Sequence, residues 1–380
     1  MRFPEFTGEW EKCKLSKVCS FFSGGTPPSS NKEYYNGNIP FIRSGELHND
    51  ETELFITKEG LDNSAAKMVE VGDLLLALYG ATSGDIAISK IKGAINQAIL
   101  CIRTKQNKKF VESVWNKHVA RLLQTYLQGG QGNLSADIVK NIPFYFANSN
   151  EQDKLAKFIS LLDERIATQN KIIEKLETLI KGIVDSIFTA NEFPKVPFKE
   201  IYVRAGEGGT PATSNPEYYD NGTIPFIKID DLQNKYIKTN KDCITELGLQ
   251  KSSAWIVPAN SIIYSNGATI GAISINLFPV CTKQGILGVV PKADINVEFL
   301  YYFMTSTAFT KAVERIVTEG TMRTAYLKDI NHIPCPVPCS VKQDEIAKLL
   351  STLSEKLENE VIFQMKLQKQ KEFLLSQMFI

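Results

Sequence analysis

The side chains best suited to specific chemistry in this 380-residue chain lie in short loops beside glycines. The first half carries Gly24, Gly25 and Thr26, then Arg43, Ser44 and Gly45, then Tyr79 to Ser83 with Thr82, then Asn96 and Gln97, then Gln131 to Asn133. The second half carries Gly208, Gly209 and Thr210, then Lys228 to Asp230, then Asn266 to Thr269, then Lys283 and Gln284, then Thr321 to Arg323. These are the residue types that read a nucleic acid. Asn and Gln can pair bidentately with adenine, Arg or Lys with guanine, and a glycine lets a backbone N–H approach phosphate. A structural alternative stands beside this. Gly-Gly-Thr-Pro can simply shape a turn, and Tyr34, Tyr35, Tyr218 and Tyr219 can belong to a core instead of touching sugar or phosphate. Arg43, Arg323, Lys228, Gln131 and Asn133 are the stronger candidates, because polar residues beside glycines seldom build core.

Catalytic constellations do not assemble. Asn141-Ile142-Pro143-Phe144 is similar to the Asn-Pro-Pro-Phe box of amino-methyltransferases, but its second residue is Ile and its duplicate reads His332-Ile333-Pro334-Cys335. Gly129-Gly130-Gln131-Gly132 follows an expected helix and not a strand, so the dinucleotide context is missing. No Gly-x-x-x-x-Gly-Lys-Ser/Thr is present, and no Pro-Asp dipeptide. The three histidines, His48, His118 and His332, have no spaced partners. No nucleophile, base and oxyanion donor come together, so no catalytic or metal-ligating residue is expected.

The elements that must position the loops come in duplicate. Gly24-Gly25-Thr26-Pro27 returns as Gly208-Gly209-Thr210-Pro211, Glu33-Tyr34-Tyr35 as Glu217-Tyr218-Tyr219, and Ile39-Pro40-Phe41-Ile42 as Ile224-Pro225-Phe226-Ile227. Gly80-Ala81-Thr82 matches Gly267-Ala268-Thr269, Gln97 matches Gln284, Ile142-Pro143 matches Ile333-Pro334, and Gln152-Asp153 matches Gln343-Asp344. So many matches in order define a tandem duplication of a unit of about 190 residues, which predicts two pseudo-equivalent modules.

Each unit has two parts. The first is mixed α+β. Apolar runs such as Asp73–Tyr79 and Ser261–Tyr264 read as strands, and Phe110–Leu127 and Val297–Val317 as helices. The second part is a long helix. Ser149-x-x-Gln152 and Ser340-x-x-Gln343 have the form of a capping box. Leu155, Ile159, Leu162, Ile166, Gln169, Ile173, Leu176, Ile180, Ile183 and Ile187 then follow in steps of four and three, the spacing of a coiled coil. The second stripe begins with Ile346, Leu350, Leu353 and Leu357 and continues through Leu367, Leu374 and Met378. Glu360, Gln364 and Lys371 fall on its core positions. Their neighbours Val361, Phe363, Phe373 and Leu375 suggest a locally shifted seam, with the polar positions turned toward a partner. A single stripe can pack on its own domain, but two at matching places favour mutual, antiparallel pairing. A helix of some 38 residues spans about 57 Å. The expected divisions are modules over 1–148 and 193–339 and long helices over 149–192 and 340–380.

Composition narrows the class. Apolar residues make up 43% of the chain, enough for real cores. No apolar run is long enough to span a bilayer, and Met1-Arg2-Phe3-Pro4-Glu5 lacks the core of a signal peptide. Seven scattered cysteines read as reduced thiols in a cytoplasmic protein. The net charge of +1 is low for a stand-alone DNA binder, so local basic strips or a partner must supply phosphate contact.

The duplicated Gly-Gly-Thr-Pro, Glu-Tyr-Tyr and Ile-Pro-Phe-Ile opening, with the Gln-Asp helix after Ile-Pro, resembles the specificity subunit of type I restriction-modification systems over essentially the whole chain. The resemblance implies two target-recognition domains, each reading one half of a split, asymmetric site in double-stranded DNA. It implies that the long helices form an antiparallel coiled coil and dock two methyltransferase subunits. S-adenosylmethionine, ATP and Mg are then expected only in partner subunits, which methylate adenine; restriction subunits can join. The two heads resemble each other closely, which suggests related half-sites. Two other classes compete: a coiled-coil scaffold without DNA specificity, and a methyltransferase in its own right.

Overall fold

The computed structural model describes residues 2–126, 134–190, 192–267, 269–317 and 323–379. It divides into two compact units, residues 1–170 with 362–380, and residues 171–361. Each unit contains one α+β module and parts of both long helices.

In the first module a four-stranded sheet runs in the order Cys19–Ser23, Ile99–Thr104, Leu74–Ala77, Ile86–Ile88, all antiparallel. The strand Leu74–Ala77 is buried along its whole length. Its period of two explains this: Leu74 and Leu76 join the core under the helix Lys108–Tyr126, while Leu75 and Ala77 face a second apolar cluster with Ile95 and Cys101. A second sheet, ordered Phe55–Ile56, Tyr35–Ile42, Gly93–Ile95, Lys67–Val69, includes the parallel pairing of Ile42 with Ile95. The second module repeats the plan. Its main sheet runs Tyr202–Glu207, Ile286–Pro291, Ile262–Ser265, Ile273–Asn276, and adds Tyr236–Ile237 as a fifth strand. Its smaller sheet runs Asp242–Ile244, Ile224–Ile227, Cys281–Thr282. The helical stretch expected over 297–317 is broken into Val297–Thr305 and Thr307–Ile316, because Ser306 leaves the helix and caps the second with its hydroxyl.

The long helices span Ser149–Thr189 and Ser340–Met378. Within the first unit Leu155 and Ile159 share a cluster with Met378 and Phe379, while Asp163 meets Lys371 at 2.5 Å. Within the second unit Ile187 lies by Ile346 and Ile180 by Leu357. The direction is antiparallel in both. The expected shift of the second helix's seam is met only at Leu375, which packs against the first core beside Leu374. Val361, Phe363 and Phe373 stay exposed, whereas Lys371 and Glu360 are drawn in. Lys371 pairs with Asp163 of the first helix, and Glu360 folds onto Lys356 one turn away. Long polar side chains fill the register here by finding ion partners, so these two are not turned toward an outside subunit.

The capping boxes do not form either. Asn148 caps the first helix, its Oδ1 accepting from Glu151 N–H, and Gln152 has a different task. Buried, it accepts from the Asn107 N–H and donates to Ala147 O and Gln106 Oε1, while Asp153 accepts from the Asn107 side chain. The second module does the same. Gln343 accepts from Asn296 N–H at 2.9 Å and donates to Asp294 O and Pro338 O, and Asp344 holds the Asn296 side chain. Asn107 Oδ1 accepts from Phe110 N–H and Asn296 Oδ1 from Glu298 and Phe299 N–H. The repeated Gln-Asp pair is thus a latch that ties the module's helix to the start of the long one.

Candidate nucleic-acid interface

Each module gathers its loops at one end of its sheets. In the first, the parallel strands ending at Ile42 and Ile95 deliver Arg43 and Asn96 side by side. Gly24 N–H donates to Asn96 O, and Thr26 Oγ1 donates to Gln97 Oε1 at 2.7 Å. Leu78 N–H donates to Ala98 O, which sets the Tyr79–Ser83 loop beside them. The far side of that loop is fixed by Trp115, whose buried indole N–H donates to Gly84 O, and by Asp85, which meets His48 Nε2 at 2.9 Å. The hydrogen bond to Asp85 raises the His48 pKa above its ordinary value.

The second module brings the corresponding residues together. Gln284 N–H donates to Thr210 Oγ1, Lys283 N–H to Ile227 O beside Lys228, and the Asn266 and Gly267 N–H groups to Gly285 O. Thr269 and Arg323 line one cavity of about 280 Å³ with Tyr264, Thr310 and Glu314. The second loop is one residue shorter: Gly84 bonds back to Ala77, whereas Gly271 bonds back to Ser265.

Several candidates are shown in other roles. Gly24 and Gly208 have already donated their N–H groups, to Asn96 O and Ile286 O, so these cannot receive a phosphate. A Cβ on Gly24 would stand 1.8 Å from Ile95 O, one on Gly25 2.5 Å from Ala65 Cβ, one on Gly208 2.0 Å from Thr282 O and one on Gly209 2.3 Å from Ser253 Oγ. The glycine pairs exist for close packing under the loop. Asn266 is 2% exposed and donates to Ala325 O, so it shapes the approach to Arg323 and does not face a base. It stands where the first module has the buried Leu78. Tyr35 and Tyr219 donate their hydroxyls to Pro27 O and Pro211 O, which explains why the two motifs travel together. Thr26, Arg43, Gln97, Thr269, Lys283, Gln284 and Arg323 are exposed; Ser44, Thr82, Thr210 and Lys228 are half-buried beside them. Gln131 and Asn133 lie outside the described residues.

The charged partners of the two cations were not visible in sequence. Arg43 Nη2 donates to Glu46 Oε1 at 2.7 Å and to Glu53 Oε2 at 2.6 Å. Burial pushes the Glu46 carboxyl up, but hydrogen bonds from the Arg43 side chain and N–H and from Thr52 outweigh it and hold the pKa at about 2. In the second module Lys228 Nζ meets Asp242 at 2.9 Å, and its N–H donates to Asp231. Each site is therefore a cation held by a carboxylate, Arg43 exposed and Lys228 half-buried, beside amides and hydroxyls. Such a surface can donate to base edges and phosphates. Among the described residues no cluster could hold a metal ion.

Two copies of such a loop cluster, each rooted on the same pair of long helices, define a duplicated recognition protein. The model of the type I restriction modification DNA specificity domain matches the chain twice, at residues 7–178 and 195–366, and the chain belongs to that family. It is 24% identical over 398 residues to the MjaIX type I restriction enzyme specificity subunit of Methanocaldococcus jannaschii, covering 97% of this chain and 92% of that one. The fold is similar to that of the S subunit of a type I restriction-modification system from M. genitalium, with TM-score 0.59, 16% identity and coverage of 100% and 99%. A chain from a structure of type I R-M complex assembly and conformational transition aligns with TM-score 0.63, 15% identity and coverage of 98% and 97%.

Proposed function

We propose that the chain is the DNA-specificity subunit of a type I restriction-modification complex, each module reading one half of a split site in double-stranded DNA. One observation carries this reading. The same loop cluster is built twice, once on each module, in a chain whose two halves each match the DNA specificity domain. A scaffold without DNA specificity gives no reason for that. The recognition domains correspond to residues 1–148 and 193–339, and the segments 149–192 and 340–380, built on the helices Ser149–Thr189 and Ser340–Met378, set the spacing between half-sites. Major grooves on one face of DNA recur about every 34 Å, within the reach of helices of this length.

The chain supplies recognition; chemistry comes from its partners. Two methyltransferase subunits would bring S-adenosylmethionine and methylate adenine, and restriction subunits would bring ATP and Mg. The exposed Val361, Ile362, Phe363, Met365 and Phe373 of the second long helix support docking of such subunits. No helix among the described residues is long and apolar enough to cross a membrane, and the assembly belongs in the cytoplasm with its DNA. The test is methylation mapping of the host genome with and without the gene. Methylated adenines at one split motif should vanish on deletion; an unchanged pattern would refute the assignment.

A further inference from the structure

Arg43 is exposed, yet its charge is not free. Its Nη2 reaches two carboxylates, and the two differ in kind. Glu46 is buried, and its other oxygen accepts from the Arg43 N–H and the Thr52 hydroxyl, so it stays. Glu53 has a side chain 85% exposed and can swing away. The second module pairs its cation with one carboxylate, by another route. Asp231 takes the Lys228 N–H, as Glu46 takes that of Arg43, and Asp242 holds Nζ with a side chain 42% exposed. Asp242 is not the counterpart of Glu53 in the strand register: it pairs opposite Phe226, and the residue opposite Phe41 is Leu54. Two non-equivalent residues placed on equivalent cations point to a requirement of the site and not to inheritance of an ion pair.

A cation flanked by two carboxylates is a poor phosphate ligand, because the phosphate meets their negative charge first. It is a good ligand for a neutral base edge. The fixed carboxylate holds the guanidinium in one orientation, which reduces the freedom lost on binding. Both Nη2 hydrogens are engaged, so a base must displace Glu53 to use the fork. Only guanine presents two acceptors, O6 and N7, on its major-groove edge; adenine presents one acceptor beside a donor.

Resting on the DNA-reading function above, we infer that Arg43 reads a guanine in the half-site of the first module, with Glu46 fixing the guanidinium and Glu53 occupying its fork until guanine displaces it. Lys228 and Asp242 stand at the corresponding base pair of the other half-site.

The experiment measures binding of the chain with its methyltransferase subunit to duplexes in which each base pair of the mapped motif is varied in turn. The wild type should prefer guanine at one base pair of one half-site. Arg43→Ala should flatten that preference, on the order of five- to a hundred-fold, and leave every other position unchanged. Glu53→Gln, at an exposed position that folding does not need, lowers the cost of displacement and should keep guanine first with its margin widened by up to a few-fold. If Arg43→Ala instead weakens all duplexes equally with a shallower salt slope, Arg43 is a phosphate contact and the inference falls. It falls equally if neither variant alters the preference. A wild-type complex that recognises no split site would overturn the proposed function itself, a separate failure.

Discussion

Replacing Gln343 by Ala tests whether the repeated Gln-Asp latch holds a module to its helix. Gln343 is 1% exposed and makes three hydrogen bonds, to Asn296 N–H, Asp294 O and Pro338 O. Truncation removes all three and strands a donor and two acceptors away from solvent. A typical bond is worth about 1 kcal/mol and an unsatisfied buried group costs more, so the expected loss is about 2–4 kcal/mol. Asp344→Ala removes one exposed side-chain bond to Asn296 and should cost no more than about 1 kcal/mol. Because the chain has two compact units, one global unfolding curve would blur the effect. Amide hydrogen exchange resolves it: protection in the helix Val297–Thr305 should fall, while the helix Lys108–Tyr126 keeps its own. A loss below about 1 kcal/mol for Gln343→Ala, or equal losses in both helices, would refute the latch.

The low pKa of Glu46 links stability to acid. The group is depressed in the folded state, so its contribution is complete above about pH 4.5 and disappears as pH falls through about 2. On the order of 2 kcal/mol of acid sensitivity should therefore be missing from Glu46→Gln when its denaturation is compared with wild type across that window; equal slopes would contradict it. Gly24→Ala drives a Cβ into Ile95 O and should cost more than about 2 kcal/mol in the first module, measured by denaturant unfolding, whereas Gly45→Ala meets open space and should be nearly neutral. Deleting seven residues from both long helices should shorten the tolerated spacer by roughly three base pairs, from ~1.5 Å per helical residue and ~3.4 Å per pair; an unchanged spacer in the methylation map would show that the helices do not set it.

The duplication and the heptads were legible because both are periodic. The repeats gave two modules, and the stripe from Leu155 to Ile187 is the buried side of its helix. The second stripe misled where polar residues met apolar neighbours, since sequence does not reveal that Lys371 has Asp163 waiting for it. Gln152 fits a capping box by spacing, and only its burial beside Asn107 reveals the latch. Residues named for their types largely meet at one loop cluster per module, but type does not disclose direction. The glycines and Asn266 turn inward, and Arg43 turns outward. Glu53 and Asp242 left no signal, because they come to equivalent cations from non-equivalent positions.

The core of the first module contains residues from far along the chain. Phe379 stacks near Phe110 and Trp10, its carbonyl receives Lys117, and Met378 lies in the same cluster. During synthesis at about 5–20 residues per second, roughly ten to fifty seconds separate the emergence of Phe110 from that of Phe379. For that interval Trp10 and Phe110 lack part of their cover while the second module is translated and can fold. The module made first is the one completed last, so a ribosome that stops short leaves its damage near the N-terminus.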